Sequence, residues 1–183
     1  MTSEPPPGQR TIALVGLMGV GKSTIGRRLA LALDLPFRDA DQEIEIAAGR
    51  TIPEIFAQLG EAEFRAGERR VIGRLLLQEP RHVLATGGGA FMDSQTRSLM
   101  KQKAITVWLK ADLDVLVRRV GRKATRPLLI GKNPREVLQE LMEKRYPVYA
   151  EADITVMTDD RPANAAVESI LSALKRRLEP AAS

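Results

Sequence analysis

Apolar residues along this chain gather into five short runs, residues 11–15, 36–38, 82–85, 105–109 and 154–157, and the spacing between successive runs is helical. This alternation predicts a parallel sheet with helices on both faces, because parallel neighbours need long crossovers that cover the sheet. In such a sheet the ligand sits at the carboxyl ends of the strands. The polar motifs fall there: a glycine-rich segment after the first run, Asp39 and Asp41 after the second, and Gly87, Gly88 and Gly89 after the third. One shared site at that edge is the expectation.

Residues 41–78 form an unusually helix-rich insertion between the second and third runs. Within it, Thr51-Ile52-Pro53-Glu54 reads as a capping box, in which threonine and glutamate satisfy free N–H groups reciprocally. An insertion at the open edge of a ligand site is where a second substrate is held. Residues 120–133, rich in Gly, Arg and Lys around Arg126-Pro127-Leu128-Leu129, interrupt two helical patterns and read as a mobile lid or as an ordinary basic loop. The Pro-rich residues 1–9 and the final residues 179–183 read as loose tails on a single domain, 10–178.

Composition narrows the chemistry. A chain of 183 residues with 44% hydrophobic content supports one domain with a full core and is too short for two comfortable ones. The absence of cysteine excludes disulfides, thiolate zinc sites and cysteine nucleophiles, and a lone histidine, His82, excludes paired-histidine chemistry. The net charge of +5 comes from basic residues that are not gathered into one cluster, and 4% aromatic content leaves few stacking platforms, so no nucleic-acid partner is expected. An anionic small-molecule substrate together with ATP accounts for the excess equally well. No apolar run approaches the roughly 18 residues that span a bilayer, and the start MTSEPPPGQR has neither an apolar signal core nor Arg-rich amphipathic character. A soluble, cytoplasmic protein without a membrane partner, acting as a monomer, is expected.

The segment GLMGVGKST, residues 16–24, follows the first apolar run and opens a helical stretch, the context of a phosphate-binding loop. Glycines let successive N–H groups turn inward around the phosphates, Lys22 adds a point charge at the β/γ positions, and the Ser23 hydroxyl is placed to coordinate magnesium. A nucleoside triphosphate is the implied ligand. Asp39-Ala40-Asp41 closes the second run, so extended geometry carried through the turn would send both carboxylates to one side, while Asp41 alone also suits a helix cap. Arg65, with Glu68 three residues on, is either oriented for an oxyanion or part of a solvated helix face. Three consecutive glycines suit a place where a ligand approaches the main chain too closely for a β-carbon. Arg145 stands near the end of a helix that Pro147 should terminate or kink, where a cation also compensates the helix dipole.

In order along nearly the whole chain, from Thr11 to Arg161, these motifs resemble the shikimate kinase family: GLMGVGKST, Asp39-x-Asp41, Gly60-Glu61 followed by Glu63-Phe64-Arg65-x-x-Glu68, Gly87-Gly88-Gly89, Arg126-Pro127-Leu128-Leu129, and Arg145-x-Pro147-x-Tyr149. The resemblance implies an α/β, three-layer, nucleoside-monophosphate-kinase-like P-loop fold with a five-stranded parallel sheet, a helical substrate-binding insertion and a lid. It implies ATP and Mg2+ at the loop formed by Gly19, Val20, Gly21, Lys22, Ser23 and Thr24, with Ser23 and Asp39 holding the metal. It gives Lys22, Asp41 and Arg126 to catalysis, and Arg119 and Arg161 to the adenine. It places the shikimate carboxylate between Arg65 and Arg145, its hydroxyls on Asp41, and its ring substituents against Gly87, Gly88 and Gly89. The implied reaction moves the ATP γ-phosphoryl group to the 3-hydroxyl of shikimate, a step toward chorismate and the aromatic amino acids. The rival readings are another P-loop small-molecule kinase, acting on gluconate or a nucleotide, and an ATP-binding module without activity.

Overall fold

The structure, a computed structural model, describes residues 7–122 and 129–179. A 3-10 turn at Pro7–Gln9 leads into β1 (Thr11–Val15), α1 (Lys22–Leu33), β2 (Phe37–Asp39), α2 (Ala40–Ala48), α3 (Ile52–Gln78) and β3 (Val83–Ala85). A second 3-10 turn at Ala90–Met92 precedes α4 (Ser94–Lys103), β4 (Ala104–Lys110), α5 (Leu113–Gly121), α6 (Pro134–Tyr149), β5 (Ile154–Met157) and α7 (Ala163–Leu178). The strands form one sheet in the order β2-β3-β1-β4-β5, every neighbouring pair parallel. The expected five-stranded parallel architecture is what the chain adopts.

Every residue of β1 and β3 is buried, and all of β4 except its last. Successive strand residues point to opposite faces, so continuous burial requires helices on both. Helix α1 packs against β3 and α7, while α4 packs against β4 and α3. A β-carbon at Gly26 of α1 would lie 2.6 Å from Phe37 Cε2 on β2, so this glycine lets the helix after the phosphate loop sit close to the sheet. Leu14 pairs with Ala85 on one side and Val107 on the other, which brings the loops after β1 and β3 to the same level.

The insertion comprises α2 and α3, and its capping box is formed: Thr51 Oγ1 accepts from Glu54 N at 3.3 Å, and Glu54 Oε2 accepts from Thr51 N at 2.7 Å. Helix α3 kinks at Gly60, whose φ of 82° and ψ of 172° belong to a region that only glycine enters readily. Phe56 and Phe64, one on each side of the kink, stack with centroids 4.7 Å apart.

Several local expectations are corrected. Extended geometry does not persist from Asp39 to Asp41: the strand ends at Asp39 and α2 begins at Ala40. The cap is therefore Asp39, not Asp41, because Asp39 Oδ1 accepts from Asp41 N at 3.0 Å and Gln42 N at 3.4 Å. Pro147 does not end α6, which continues to Tyr149. A proline there forfeits one hydrogen bond close to the end of the helix, and Ala150 N–H closes the last turn on Tyr146 O. Residues 7–9, expected in the loose tail, form the first turn. Of the expected lid, Arg126 lies outside the described residues.

Candidate active site

The carboxyl ends of the strands open into a cleft of about 570 Å³, lined by the phosphate loop, Asp39, Asp41, Thr86 to Gly88, and the loop after β5. Gly16, Gly19 and Gly21 take φ values of +150°, +80° and +99°, so the loop depends on conformations that side chains disfavour. A β-carbon on Gly16 would also stand 2.7 Å from Leu109 O. Val20 is buried and anchors the loop to the core, while Thr24 is exposed on the cleft wall. Lys22 Nζ donates to Gly16 O at 2.6 Å and Leu17 O at 3.0 Å, which holds its charge over the loop.

Ser23 and Asp39 are brought together: Ser23 Oγ donates to Asp39 Oδ2 at 2.7 Å. The other oxygen of Asp39 caps α2, so its carboxylate is fixed by the backbone while one edge faces the serine. Asp41 lies in the first turn of α2, where solvent reaches it from the cleft while protein crowds its carboxylate. That crowding, and then the neighbouring Asp39 charge, push its pKa above the usual carboxylate range, against the opposing pull of Lys22 and Arg65.

The glycine triplet accounts for the geometry of the other half. A β-carbon on Gly87 would lie 3.0 Å from Glu68 Oε1 and 3.1 Å from Asp41 Oδ1; on Gly88, 2.9 Å from Arg145 Nη1; on Gly89, 2.5 Å from Arg65 Nη1. Each glycine yields its space to a different charged side chain of the site, rather than only to a ligand as expected. Arg65 and Arg145 do not line the main cleft; they stand against the triplet at its end. Arg65 is oriented by Glu68, which accepts from Nη1 at 2.8 Å, and its guanidinium lies 5.1 Å over the Phe64 ring. Glu68 is only 3% exposed, and burial raises its pKa against the stabilising bond from Arg65. Arg65 is thus no solvated helix face.

Across the cleft, Arg119 Nη1 donates to Val20 O at 3.0 Å, and its Nη2 to Asp159 O, so it ties the phosphate loop to the loop after β5. Arg161 is exposed on the rim, held by both oxygens of Asp159 at 2.9 and 2.8 Å. Both arginines flank one wall, with Pro162 before α7 and Ala163 at its first position.

The family model for shikimate kinase matches residues 18–175. A shikimate kinase of Caulobacter vibrioides is 65% identical over 91% of this chain and 83% of its own length, and one of Zymomonas mobilis is 56% identical over 93% and 96%. The solved shikimate kinase of Acinetobacter baumannii, in complex with shikimate, superposes with a TM-score of 0.87 at 40% identity, covering 93% of this chain and 96% of its own. The chain belongs to the shikimate kinase family. It is accordingly an ATP-dependent kinase, and both the P-loop kinase fold and the resemblance read from the motifs hold.

Within the shikimate kinase site, the sequence reading named Arg161 of the wall after β5 but missed Thr158, Asp159 and Pro162, which line the cleft beside it. The signal was available, since this segment follows the fifth apolar run and strand ends are where ligands sit. It also missed Arg122, which lines the same wall, and the task of Thr86, whose Oγ1 donates to Leu14 O at 2.8 Å and locks the triplet to β1.

Proposed function

We propose that the cleft holds Mg2+ and ATP along the phosphate loop and shikimate against the glycine triplet, and transfers the γ-phosphoryl group to the 3-hydroxyl, giving shikimate 3-phosphate and ADP. The carrying observation is the triplet itself, around which Asp41, Arg65 and Arg145 converge from three helices within 3.1 Å of the β-carbon positions the glycines leave vacant. Two guanidiniums and a carboxylate suit a small polyhydroxylated acid: the arginines clamp the carboxylate in paired bonds, and Asp41 orients the attacking hydroxyl and accepts its proton. Gly88 and Gly89 offer backbone contacts to the ring.

The donor set at Ser23 and Asp39 fits magnesium, which takes hard oxygen ligands, keeps several waters and relies on substrate phosphates rather than a full protein cage. When bound, the ion neutralises charge on the transferring group. Lys22 shifts from its carbonyl partners to the phosphates, since a charge-assisted bond to phosphate outweighs one to a neutral carbonyl. Arg126 closes with the lid onto the same oxygens, and Arg119 and Arg161 flank the adenine. Positioning and charge stabilisation dominate over proton abstraction, because the transition state is loose. Residues 10–178 act as one domain, with residues 41–78 as the acceptor-binding insertion and 120–133 as the lid. We place the protein as a monomer in the cytoplasm, without nucleic-acid or membrane partners. Among the described residues no helix is long and apolar enough to cross a membrane.

The test is ADP release from magnesium-ATP with shikimate, gluconate, AMP or nothing added. Strong stimulation by shikimate alone is expected. Equal stimulation by gluconate, or none by shikimate, overturns the assignment.

A further inference from the structure

Tyr149 belongs to the last motif of the sequence, and the mechanism above gives it no task. It is fully buried, at the end of α6, with its ring 6.0 Å from Trp108 and 6.3 Å from Tyr146. A tyrosine buried this deeply must place its hydroxyl on a partner. Here the hydroxyl donates to Gly88 O, the central carbonyl of the triplet. A phenol has one proton to give, so with that proton committed to Gly88 its lone pairs are left to accept. Arg145, one helical turn earlier on the same face, brings its guanidinium beside that hydroxyl and pulls its pKa down against the effect of burial. The same guanidinium lies 2.9 Å from where a β-carbon of Gly88 would be. Gly88, Tyr149 and Arg145 therefore meet at one point, where the carbonyl fixes the hydroxyl and the hydroxyl stands beside the guanidinium.

We infer that Tyr149 is the positioning residue for Arg145: its hydroxyl, pinned by the Gly88 carbonyl, selects the guanidinium orientation that receives the acceptor's carboxylate. Arg65 has an equivalent device in Glu68, an acidic partner that orients its fork at 2.8 Å. The two arginines are thus oriented differently, one by a buried carboxylate and one by a neutral phenol. A neutral partner leaves the positive charge of Arg145 undiminished for an anionic substrate, while still setting its direction. Burial raises the hydroxyl's pKa, which keeps it protonated and able to donate to Gly88.

This inference rests on the reading that Arg145 binds the shikimate carboxylate, and the test separates the two. Tyr149→Phe keeps the ring and its packing on Trp108 and removes only the hydroxyl. Its KM for shikimate should rise roughly ten-fold, the scale of one hydrogen bond to a charged group, with the KM for ATP unmoved. The decisive arm is a double-mutant cycle with Arg145→Ala: in that background Tyr149→Phe should have no further effect on shikimate binding, because the group it orients is gone. An equal effect in both backgrounds, or a rise in the ATP and shikimate constants together with a large drop in melting temperature, makes Tyr149 a packing residue and overturns the inference alone. Normal shikimate binding by Arg145→Ala overturns the inference and the reading beneath it.

Discussion

The phosphate loop is one contiguous backbone segment, residues 16–24, whereas the half of the site proposed for the acceptor is assembled from side chains on α2, α3 and α6 that meet around three glycines after β3. Glycine serves both, for different physical reasons. In the phosphate loop it supplies positive φ, and the Gly16 position also abuts a backbone oxygen that cannot move aside. In the triplet none of the glycines has a positive φ; what they provide is room for the ends of flexible side chains. A nucleotide site built from main chain is rigid by construction, while an acceptor site built from long side chains needs partners such as Glu68 and Tyr149 to hold each fork in place.

The largest expected effect that tests this division lies at Asp41. Removing its charge with Asp41→Asn should lower turnover about a hundred- to ten-thousand-fold, the range for a positioned acid–base group, with little change in ATP binding. Stability should move the other way. A carboxyl whose folded pKa lies above its unfolded value of 3.8 contributes stability below that value, and this contribution is lost as pH rises through the folded pKa. At neutral pH the ionised Asp41 is therefore a burden on the fold, and thermal melting of Asp41→Asn should show a higher midpoint than the parent. For the same reason the acid limb of kcat/KM should lie above the pH expected of an ordinary carboxylate; a limb at the ordinary value would remove Asp41 from the proton-accepting role.

A smaller effect is expected at Arg65. Arg65→Lys keeps the charge but loses the fork held by Glu68, so shikimate affinity should fall roughly ten- to a hundred-fold while ATP titrations stay unchanged. An unaltered shikimate titration would return Arg65 to the surface of its helix.

The smallest lies outside both halves. Asp93 caps α4, accepting from Thr96 N at 2.8 Å, and is held by Arg69 at 2.7 and 3.1 Å, which brings its pKa down to about 2. A depressed folded pKa means stability that is present above the unfolded value of 3.8 and lost as pH falls toward about 2. Asp93→Ala should cost about 1 kcal/mol in urea unfolding at neutral pH, with the difference closing in acid and the kinetic constants unaffected. A change in shikimate or ATP binding would show that the two halves are less self-contained than described.

What was legible in the sequence follows the same line. The sheet and the phosphate loop could be read because their information is local: apolar runs of strand length, and nine adjacent residues whose spacing carries the chemistry. The capping box at Thr51 was legible for the same reason. The meaning of Gly87 to Gly89 was not, because what each glycine accommodates sits on a helix far away in the chain, and only folding brings Arg65 and Arg145 against it. That one of the two aspartates caps α2 was legible, but not which one, because the deciding fact, one residue of strand more or less, is set by pairing with β3, where Asp39 meets Ala85. Of the two effects expected of Pro147, termination does not occur at the proline itself, because its penalty depends on how close it stands to the helix end.

The central claim, that the triplet leaves space for the side chains that hold the acceptor, is tested most directly by titrating Gly89→Ala with shikimate and, separately, with magnesium-ATP. The added methyl would stand 2.5 Å from Arg65 Nη1, the end of a flexible side chain, so the guanidinium is displaced and the fold is not. The account predicts shikimate affinity weakened on the order of ten-fold or more, with ATP affinity and melting temperature close to the parent's. Unchanged shikimate binding, or an equal loss for both ligands, would contradict it.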